Sequence, residues 1–330
     1  MATLHEKCSH SGGAGWRFGG RRRRCKICGK TWSVHTRRRG RKPLRVSLQS
    51  LSRLLLDGVP TRQMARSHGC SRWTMQKRCQ TAMRRLAARP YVPMVPDGPL
   101  VLVADALWLT LRRQEYTLYD MAAKPADSNT AVFLEPVLLQ GRESARGWRQ
   151  VIGGISPPVR LRIAGLVSDG FPGAGAICSE YGWIQQRCHW HMLMMFGGSR
   201  HPKRRSRKLL RRIRDLACQA AWLVLHTTDR ERLSVALGVL ATLVPMVPHR
   251  ARKLPGVIRQ FIADCDSGRS YLTEPQLGLP TTTAAIESLH SRIRAITARV
   301  HCPESIHRRA ACLVRLRPTT LCNPGNHTQN

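Results

Sequence analysis

Leu100-Val-Leu-Val-Ala-Asp105 is the stretch that decides the fold, because a short apolar run of this kind is typical of a buried strand. A second run, Ile163-Ala-Gly-Leu-Val-Ser-Asp169-Gly170, has the same form. A carboxylate after buried strand residues is costly unless it has a partner. An Asx-turn that caps the next helix would explain Asp169. Asp105 has no such explanation, and we therefore expect the two acids to bind a cation.

The residues around these two runs predict a meander of strands, followed by strands that alternate with helices. This order indicates a mixed α/β sheet. The segment 192–270 has helical patterns without strand patterns, and 281–299 predicts a final strong helix. The expected strands are 100–109, 115–121, 131–139, 161–168 and 183–188, with helices near 143–153 and 172–181.

The charge of the chain is strongly positive. It contains 55 Lys and Arg against 19 Asp and Glu, a formal net charge of +36. Such a balance predicts a polyanionic partner, and nucleic acid fits better than a membrane surface. The longest apolar stretch, 233–247, is broken by polar residues and a proline and is too short for a membrane span. Because the first residues have no apolar signal region, we expect a cytoplasmic, nucleoid-associated protein without a membrane partner.

Glu287 is a third acid that needs an explanation. A helical Glu usually faces a Lys or Arg three or four residues away, but those positions hold Thr283, Ala284, His290 and Ser291. Carboxylates in a cationic background are what Mg²⁺ or Mn²⁺ requires, and the background suits a phosphate polymer. The sequence therefore predicts metal-dependent phosphodiester chemistry with Asp105, Asp169 and Glu287 as catalytic metal ligands.

Residues 1–44 form a basic module with a cysteine knuckle, Cys25-Lys-Ile-Cys28-Gly29. The pair His5 and Cys8 has matching spacing and would complete a ribbon-like Zn²⁺ site, with His10 as an alternative ligand. The other interpretation is that the cysteines are incidental thiols. We expect the flanking runs 21–24 and 37–42 to contact phosphates without reading sequence.

Residues 45–90 predict a helix-turn-helix domain, and the proline-rich residues 91–99 predict a linker. Ser71 suits the N-cap of the second helix and Gly69 suits the turn before it. An ordinary helical hairpin is the alternative. On the second helix we expect an outward, DNA-reading set of side chains, namely Arg72, Trp73, Gln76 and Lys77.

Several motifs occur together in one order along the chain. They are Asp105, then Val167-Ser-Asp-Gly-Phe-Pro172, then Gln186-Arg-Cys-His-Trp-His191, then Thr282-Thr283 with Ile286-Glu-Ser288 and Arg292-Ile-Arg294. In this order the chain resembles the DDE transposases of bacterial insertion sequences, in the Mutator-like group, in a variant with an N-terminal zinc-binding module. Family members commonly carry Asn where Thr283 stands here. The resemblance covers roughly residues 1–317.

The resemblance implies an RNase H-like catalytic domain over residues 100–318, with an all-α insertion at about 192–270. It also implies that Cys188 and His191 mark the neighbourhood of the active site. Core packing beside Trp190 is the other interpretation of these two residues, and they are not assigned as a metal pair. We expect the tail 319–330 to be disordered.

The expected function is that of a DNA transposase. It would bind the terminal inverted repeats of a mobile element and catalyse Mg²⁺-dependent strand cleavage and transfer to target DNA. We expect a homo-oligomer in the DNA complex, with the basic run 200–214 of the insertion on the DNA backbone. Two alternatives stay open: a DNA-binding regulator with an inactive α/β domain, and an RNase H-like nuclease or resolvase.

Overall fold

The chain divides into two compact units, residues 1–47 and residues 48–330. The computed structural model describes residues 11–17, 20–33, 46–197, 207–248, 252–298, 300 and 302–322. Within these ranges no helix combines the length and the apolar composition that a membrane span requires.

The first unit contains a small antiparallel sheet in the order β1-β2-β3. The knuckle at Cys25 and Cys28 connects β2 to β3, with Gly29 at a φ of 71°. The strands are β1 (Ser11–Arg17), β2 (Gly20–Cys25) and β3 (Thr31–Ser33).

The second unit begins with three helices, α1 (Leu48–Leu56), α2 (Thr61–Ser67) and α3 (Arg72–Ala87). Gly69 takes a φ of 58° in the turn before α3, where a residue without a Cβ is unstrained. Ser71 caps α3 by accepting a hydrogen bond of 3.1 Å from the Thr74 amide. The predicted helices, turn and cap are therefore present, and α3 extends beyond the predicted end near residue 78.

In the described part of the second unit, seven strands form one mixed sheet in the order β10-β6-β5-β4-β8-β9, and β7 pairs with the free part of β5. β4 and β5 form a long antiparallel hairpin, whereas β8 pairs parallel with β4 and with β9. The strands are β4 (Leu100–Leu111), β5 (Gln114–Pro125), β6 (Thr130–Phe133), β7 (Val137–Gln140), β8 (Ile163–Ser168), β9 (Ile184–Arg187) and β10 (Thr319–Leu321).

Helices cover both faces of this sheet, because alternate residues of β4 point to opposite sides. Leu100, Leu102 and Ala104 pack on one face with Trp148 and the surrounding helices. Val101 and Val103 pack on the other face with the last helices. These flanking helices are α4 (Ala145–Gly153), α5 (Pro157–Arg160), α6 (Ala174–Tyr181), α11 (Ala284–Thr297) and α12 (Pro303–Leu316).

The described residues between β9 and α11 are helical and have their own apolar core. The helices are α7 (His189–Gly197), α8 (Arg207–His226), α9 (Arg230–Met246) and α10 (Lys253–Thr273), followed by a 3₁₀ turn at Pro275–Leu277. Residues 200–206 of the predicted DNA-backbone run lie outside the described residues.

The prediction of a mixed α/β fold with a mixed sheet is confirmed. The prediction that the tail begins at 319 is wrong for its first three residues, because Thr319–Leu321 pairs antiparallel with β6. A three-residue edge strand has little sequence signal of its own, since its position depends on a partner far away in the chain. Cys322, the next residue, is buried, and its amide donates to the Asn129 carbonyl at 2.7 Å; residues 323–330 of the predicted tail lie outside the described residues.

Candidate active site

Asp105 and Asp169 lie at the same level of two neighbouring parallel strands. Val103 pairs with Val167, and each acid follows its valine by two residues. Residues two apart in a strand share a face, so Asp105 points to the α11 side of the sheet with Val103. Asp105 does not end its strand, because β4 continues to Leu111. β8 ends at Ser168, so an open sheet edge lies beside Asp105.

Asp105 has two polar neighbours on the same face. Asp120 lies directly opposite it on β5. His290 of α11 contacts both acids, with Nδ1 3.5 Å from Asp105 Oδ2 and Nε2 3.0 Å from Asp120 Oδ2. All three side chains are buried.

Burial raises the pKa of Asp105 to about 6, and the Asp169 carboxylate adds to that rise. His290, the Ala106 amide and His191 oppose it. Burial would lower the pKa of His290, but the hydrogen bond and charge of Asp120 and the charge of Asp105 raise it. Asp105 therefore needs positive charge beside it to stay ionised.

The Arg187 guanidinium packs against the turn at Asp169 and Gly170. Gly170 has a φ of 90°, and a Cβ at this position would lie 2.5 Å from the Arg187 guanidinium. Arg187 in turn is paired with Asp264 of α10. Asp169 Oδ1 is buried and has no hydrogen-bond partner among the described residues. The N-cap of α6 is Gly173, without a side-chain bond, so Asp169 does not cap that helix.

Glu143 is a further carboxylate beside these acids. Its Oε1 accepts a hydrogen bond of 2.7 Å from Trp148 Nε1. Burial raises the pKa of Glu143, the Trp148 bond opposes this, and the nearby Asp169 and Asp105 carboxylates raise it further. A group of carboxylates in which Asp105 and Glu143 both have a raised pKa is a setting in which a divalent cation is stabilised.

Glu287 lies in the first turn of α11, next to a different set of side chains. The hydroxyl of Thr283, which is fully buried, donates a hydrogen bond of 2.9 Å to Glu287 Oε1. The same carboxylate oxygen lies 3.9 Å from His191 Nδ1. Thr283 Oγ1 also lies 3.5 Å from Cys188 Sγ.

Cys188 and His191 influence each other's charge. Burial would raise the pKa of Cys188, but its bonding with His191 and Thr283 lowers it. Burial would lower the pKa of His191, but the Cys188 thiol and the Asp169 and Asp105 carboxylates raise it to about 9. Cys188 and the two aspartates therefore favour a positive charge on His191, whose Nδ1 lies 3.9 Å from the Glu287 carboxylate.

The structure thus brings Asp105 and Asp169 together on neighbouring strands and places Glu287 beside His191 and Thr283. In the described ranges, one group of three His, Cys, Asp or Glu residues has ligand atoms within 4.8 Å of one another, and it is Cys188, His191 and Glu287. The resemblance pointed to Cys188 and His191 as neighbours of the site. Sequence reasoning missed Asp120, Glu143 and His290, and the position of His290 three residues after Glu287 was the available signal.

The cysteine knuckle of the first unit is well formed. The Cys28 amide lies 3.5 Å from Cys25 Sγ, and the Gly29 amide donates to the Cys25 carbonyl at 3.0 Å. Cys25 is buried and Cys28 is exposed. The other predicted ligands, His5 and Cys8, and the alternative His10 lie outside the described residues.

The four predicted DNA-reading residues are all exposed on α3. Trp73 has 68% of its surface exposed, and Lys77 Nζ lies 5.1 Å from the centre of its ring. The opposite face of α3 is buried through Met75 and Cys79, so Arg72, Trp73, Gln76 and Lys77 form an outward surface.

Part of that surface borders a cavity of about 560 Å³ between α2, α3 and α12. No Asp or Glu is among its lining residues, which include Arg62, Arg72, Gln76, Arg308 and Arg309. Burial lowers the pKa of Arg309, whose guanidinium donates to the Ile296 carbonyl. A cavity with four arginines and no acid in its lining suits an anion.

No protein-family model matches this chain, and no curated protein matches it.

Proposed function

We propose that this protein is a DNA transposase of the DDE type. It binds the terminal inverted repeats of a mobile element and catalyses strand cleavage and strand transfer. The observation that carries the proposal is the meeting of the buried Asp105 with the half-buried Asp169 on neighbouring strands, in a chain of net charge +36. A protein this basic has no structural need for several repelling carboxylates in one place.

Asp105 and Asp169 fit a hard divalent cation, since both offer carboxylate oxygens and the Asp169 Oδ1 atom is buried without a hydrogen-bond partner in the described part of the chain. Glu287 is the proposed third ligand. When bound, Mg²⁺ or Mn²⁺ supplies the positive charge that stabilises the developing charge on a phosphodiester.

The neighbouring residues position these acids. Asp120 and His290 fix the side chain of Asp105, and Arg187 supports the turn that carries Asp169. Thr283 holds the Glu287 carboxylate on the first turn of α11. Glu143 adds negative charge beside the two aspartates, which favours cation binding.

The remaining parts supply DNA binding in this proposal. The exposed face of α3, including Arg72, reads the inverted repeats, and the other arginines of the adjacent cavity, Arg62, Arg308 and Arg309, hold phosphates. The first unit binds Zn²⁺ through Cys25 and Cys28, with His5 and Cys8 as the second pair. Homo-oligomers assemble on the DNA, and the α/β sheet supports an RNase H-like assignment with an α-helical insertion.

The experiment that tests this function is cleavage of oligonucleotide duplexes that carry the inverted repeats flanking the gene, with Mg²⁺ or Mn²⁺. Asp105→Asn, Asp169→Asn and Glu287→Gln are each expected to abolish cleavage and joining while end binding stays intact. Loss of a carboxylate removes a cation ligand but lowers phosphate repulsion. Asp97→Asn and Asp229→Asn are the controls and stay active: Asp97 is exposed, and the Asn side chain at 229 still caps α9.

Two outcomes would select the alternatives. Specific binding without divalent-dependent cleavage in any version identifies a DNA-binding regulator. Cleavage without joined products identifies a nuclease or resolvase.

A further inference from the structure

Three side chains from different parts of the chain meet beside the aspartates. Cys188 connects β9 to α7, His191 lies in the first turn of α7, and Glu287 lies in the first turn of α11. Their ligand atoms lie within 4.8 Å of one another. We propose that Cys188, His191 and Glu287 form a Zn²⁺ site.

The backbone holds this arrangement in place. The Cys188 amide donates to the Ser168 carbonyl at 2.7 Å, and the His189 amide donates to the Thr281 carbonyl at 2.8 Å. The end of β8 and the segment before α11 are therefore tied to the start of α7. The three ligands are positioned by main-chain bonds rather than by flexible loops, which is what a preorganised metal site requires.

The hydrogen bonding around the three groups is incomplete. His191 Nδ1 is buried and lacks a hydrogen-bond partner among the described residues. The Thr283 hydroxyl has a single proton and lies closer to Glu287 Oε1, at 2.9 Å, than to Cys188 Sγ, at 3.5 Å. The hydrogen bond to Glu287 is therefore the stronger one, and the bond to Cys188 is weak. A buried nitrogen without a hydrogen-bond partner is costly, and a cation bound by this nitrogen and the Cys188 sulfur removes that cost.

The chemistry of the donors selects the ion. A thiolate and an imidazole are ligands of Zn²⁺, whereas Mg²⁺ takes oxygen ligands. Three protein ligands leave the fourth tetrahedral position open, the pattern of a reactive rather than a purely structural zinc. Cys188 is fully buried, while His191 and Glu287 are about one third exposed, so the open position faces solvent.

The proposed Zn²⁺ site differs from the proposed Mg²⁺ site in its ligand atoms, which include a sulfur and a nitrogen, and Glu287 is a ligand in both. The inference does not depend on the proposed function, because zinc binding is measured without DNA.

The test is a Co²⁺ titration of the full chain carrying Cys25→Ser and Cys28→Ser, in buffer that contains Mg²⁺. We expect one equivalent of Co²⁺ to produce a thiolate charge-transfer band that Zn²⁺ removes and excess Mg²⁺ does not. Adding Cys188→Ser should eliminate the band. His191→Ala and Glu287→Gln should each weaken Co²⁺ binding by at least about tenfold, since even outer partners of a metal site are worth that much.

Cys178→Ser is the matched control, because Cys178 is also buried but lies in α6 outside the group, and its band should be unchanged. A second measurement uses the otherwise native chain: His191→Ala should lower bound zinc by one ion per chain. The proposal is overturned if the band survives Cys188→Ser, if the folded double-serine protein binds no Co²⁺, or if His191→Ala leaves the zinc content unchanged.

Discussion

Asp105 and Asp120 lie directly opposite each other on β4 and β5, and the imidazole of His290 contacts both carboxylates. Like charges opposite each other destabilise a sheet, and here both are buried. The register of the hairpin creates the repulsion and α11 supplies the group that relieves it. The position of α11, which also carries Glu287, is therefore coupled to the two aspartates.

Replacing His290 by Ala is expected to lower the free energy of unfolding by about 3 kcal/mol, because it leaves two buried carboxylates facing each other without the imidazole that contacts both. Urea denaturation measures the loss. Asp120→Asn in the His290→Ala protein should restore part of it. The control is His307→Ala, which removes one hydrogen bond of 2.8 Å to the Pro136 carbonyl and should cost about 1 kcal/mol. Equal losses in the two alanine variants would contradict the bridging role.

Asp105 should make stability depend on pH when divalent cations are removed with EDTA. Its folded pKa of about 6 lies above the ordinary 3.8, so its stabilising contribution is fully present below 3.8 and is lost as pH rises through about 6. The gap corresponds to roughly 3 kcal/mol. The charged and titratable groups around Asp105 are Asp120 on β5, His290 on α11, His191 on α7 and Asp169 after β8. They are the same in the native chain and in a variant that changes Asp105 alone.

Asp105→Asn removes this titration. We therefore expect the variant to be more stable than the native chain at pH 8 and equally stable near pH 4. Thermal unfolding at the two pH values checks the sign. If the variant is instead less stable at pH 8, the ionised Asp105 side chain does not lower the free energy of unfolding, because its neighbours stabilise the charge.

The zinc content of the first unit gives a third prediction. Cys25→Ser with Cys28→Ser should lower bound zinc by about one ion per chain, because a tetrahedral site does not survive the loss of two thiolates. Metal analysis of purified protein measures this. Cys70→Ser with Cys302→Ser, two cysteines at or near the surface outside the knuckle, should leave the content unchanged. Unchanged zinc in the knuckle variant would mean that the cysteines are incidental thiols.

Much of the sheet was predictable because its strands are apolar runs ended by polar turns. The sequence pattern also located Asp105 and Asp169, since a carboxylate after such a run has few structural explanations. Asp120 was missed because β5 is buried on both faces from Leu118 onward and shows no alternation. Asp120 lies opposite Asp105 because of the register of the hairpin. That register is set by the turn at residues 112–113 and not by the residues around Asp120.

The group of Cys188, His191 and Glu287 was not predictable from spacing. Cys188 and His191 are separated from Glu287 in sequence by most of the helical segment, and contacts at that distance depend on the packing of the sheet and helices. The same reason accounts for β10, which becomes a strand only because β6 presents a free edge to it.

DNA reading by α3 predicts different effects for two kinds of arginine. Arg72→Ala should weaken specific binding more than non-specific binding, because its side chain is exposed on the reading face of α3. Arg308→Ala should weaken both equally and reduce the salt slope by about 1, as expected of a phosphate contact in the cavity. Gel-shift titrations at several salt concentrations separate the two. Identical profiles would contradict the assignment of separate roles.

The turn between β4 and β5 gives the last prediction. Arg112 and Arg113 have φ values of 49° and 68°, the left-handed conformation of a type I′ hairpin turn. Asn and Gly adopt it with less strain than arginine. Arg112→Asn with Arg113→Gly should therefore raise the free energy of unfolding by about 1 kcal/mol.

Backbone strain at non-glycine residues is commonly found where the residues also have a functional role. Both arginines are exposed at the tip of the hairpin that carries Asp105. If they contact phosphates, the stabilised variant should bind DNA more weakly, with a salt slope reduced by about 2. The control is Arg142→Asn, an exposed arginine already paired with Glu115 at 2.8 Å, which should leave the slope unchanged. A gain in stability with an unchanged slope would assign the two arginines to the turn alone.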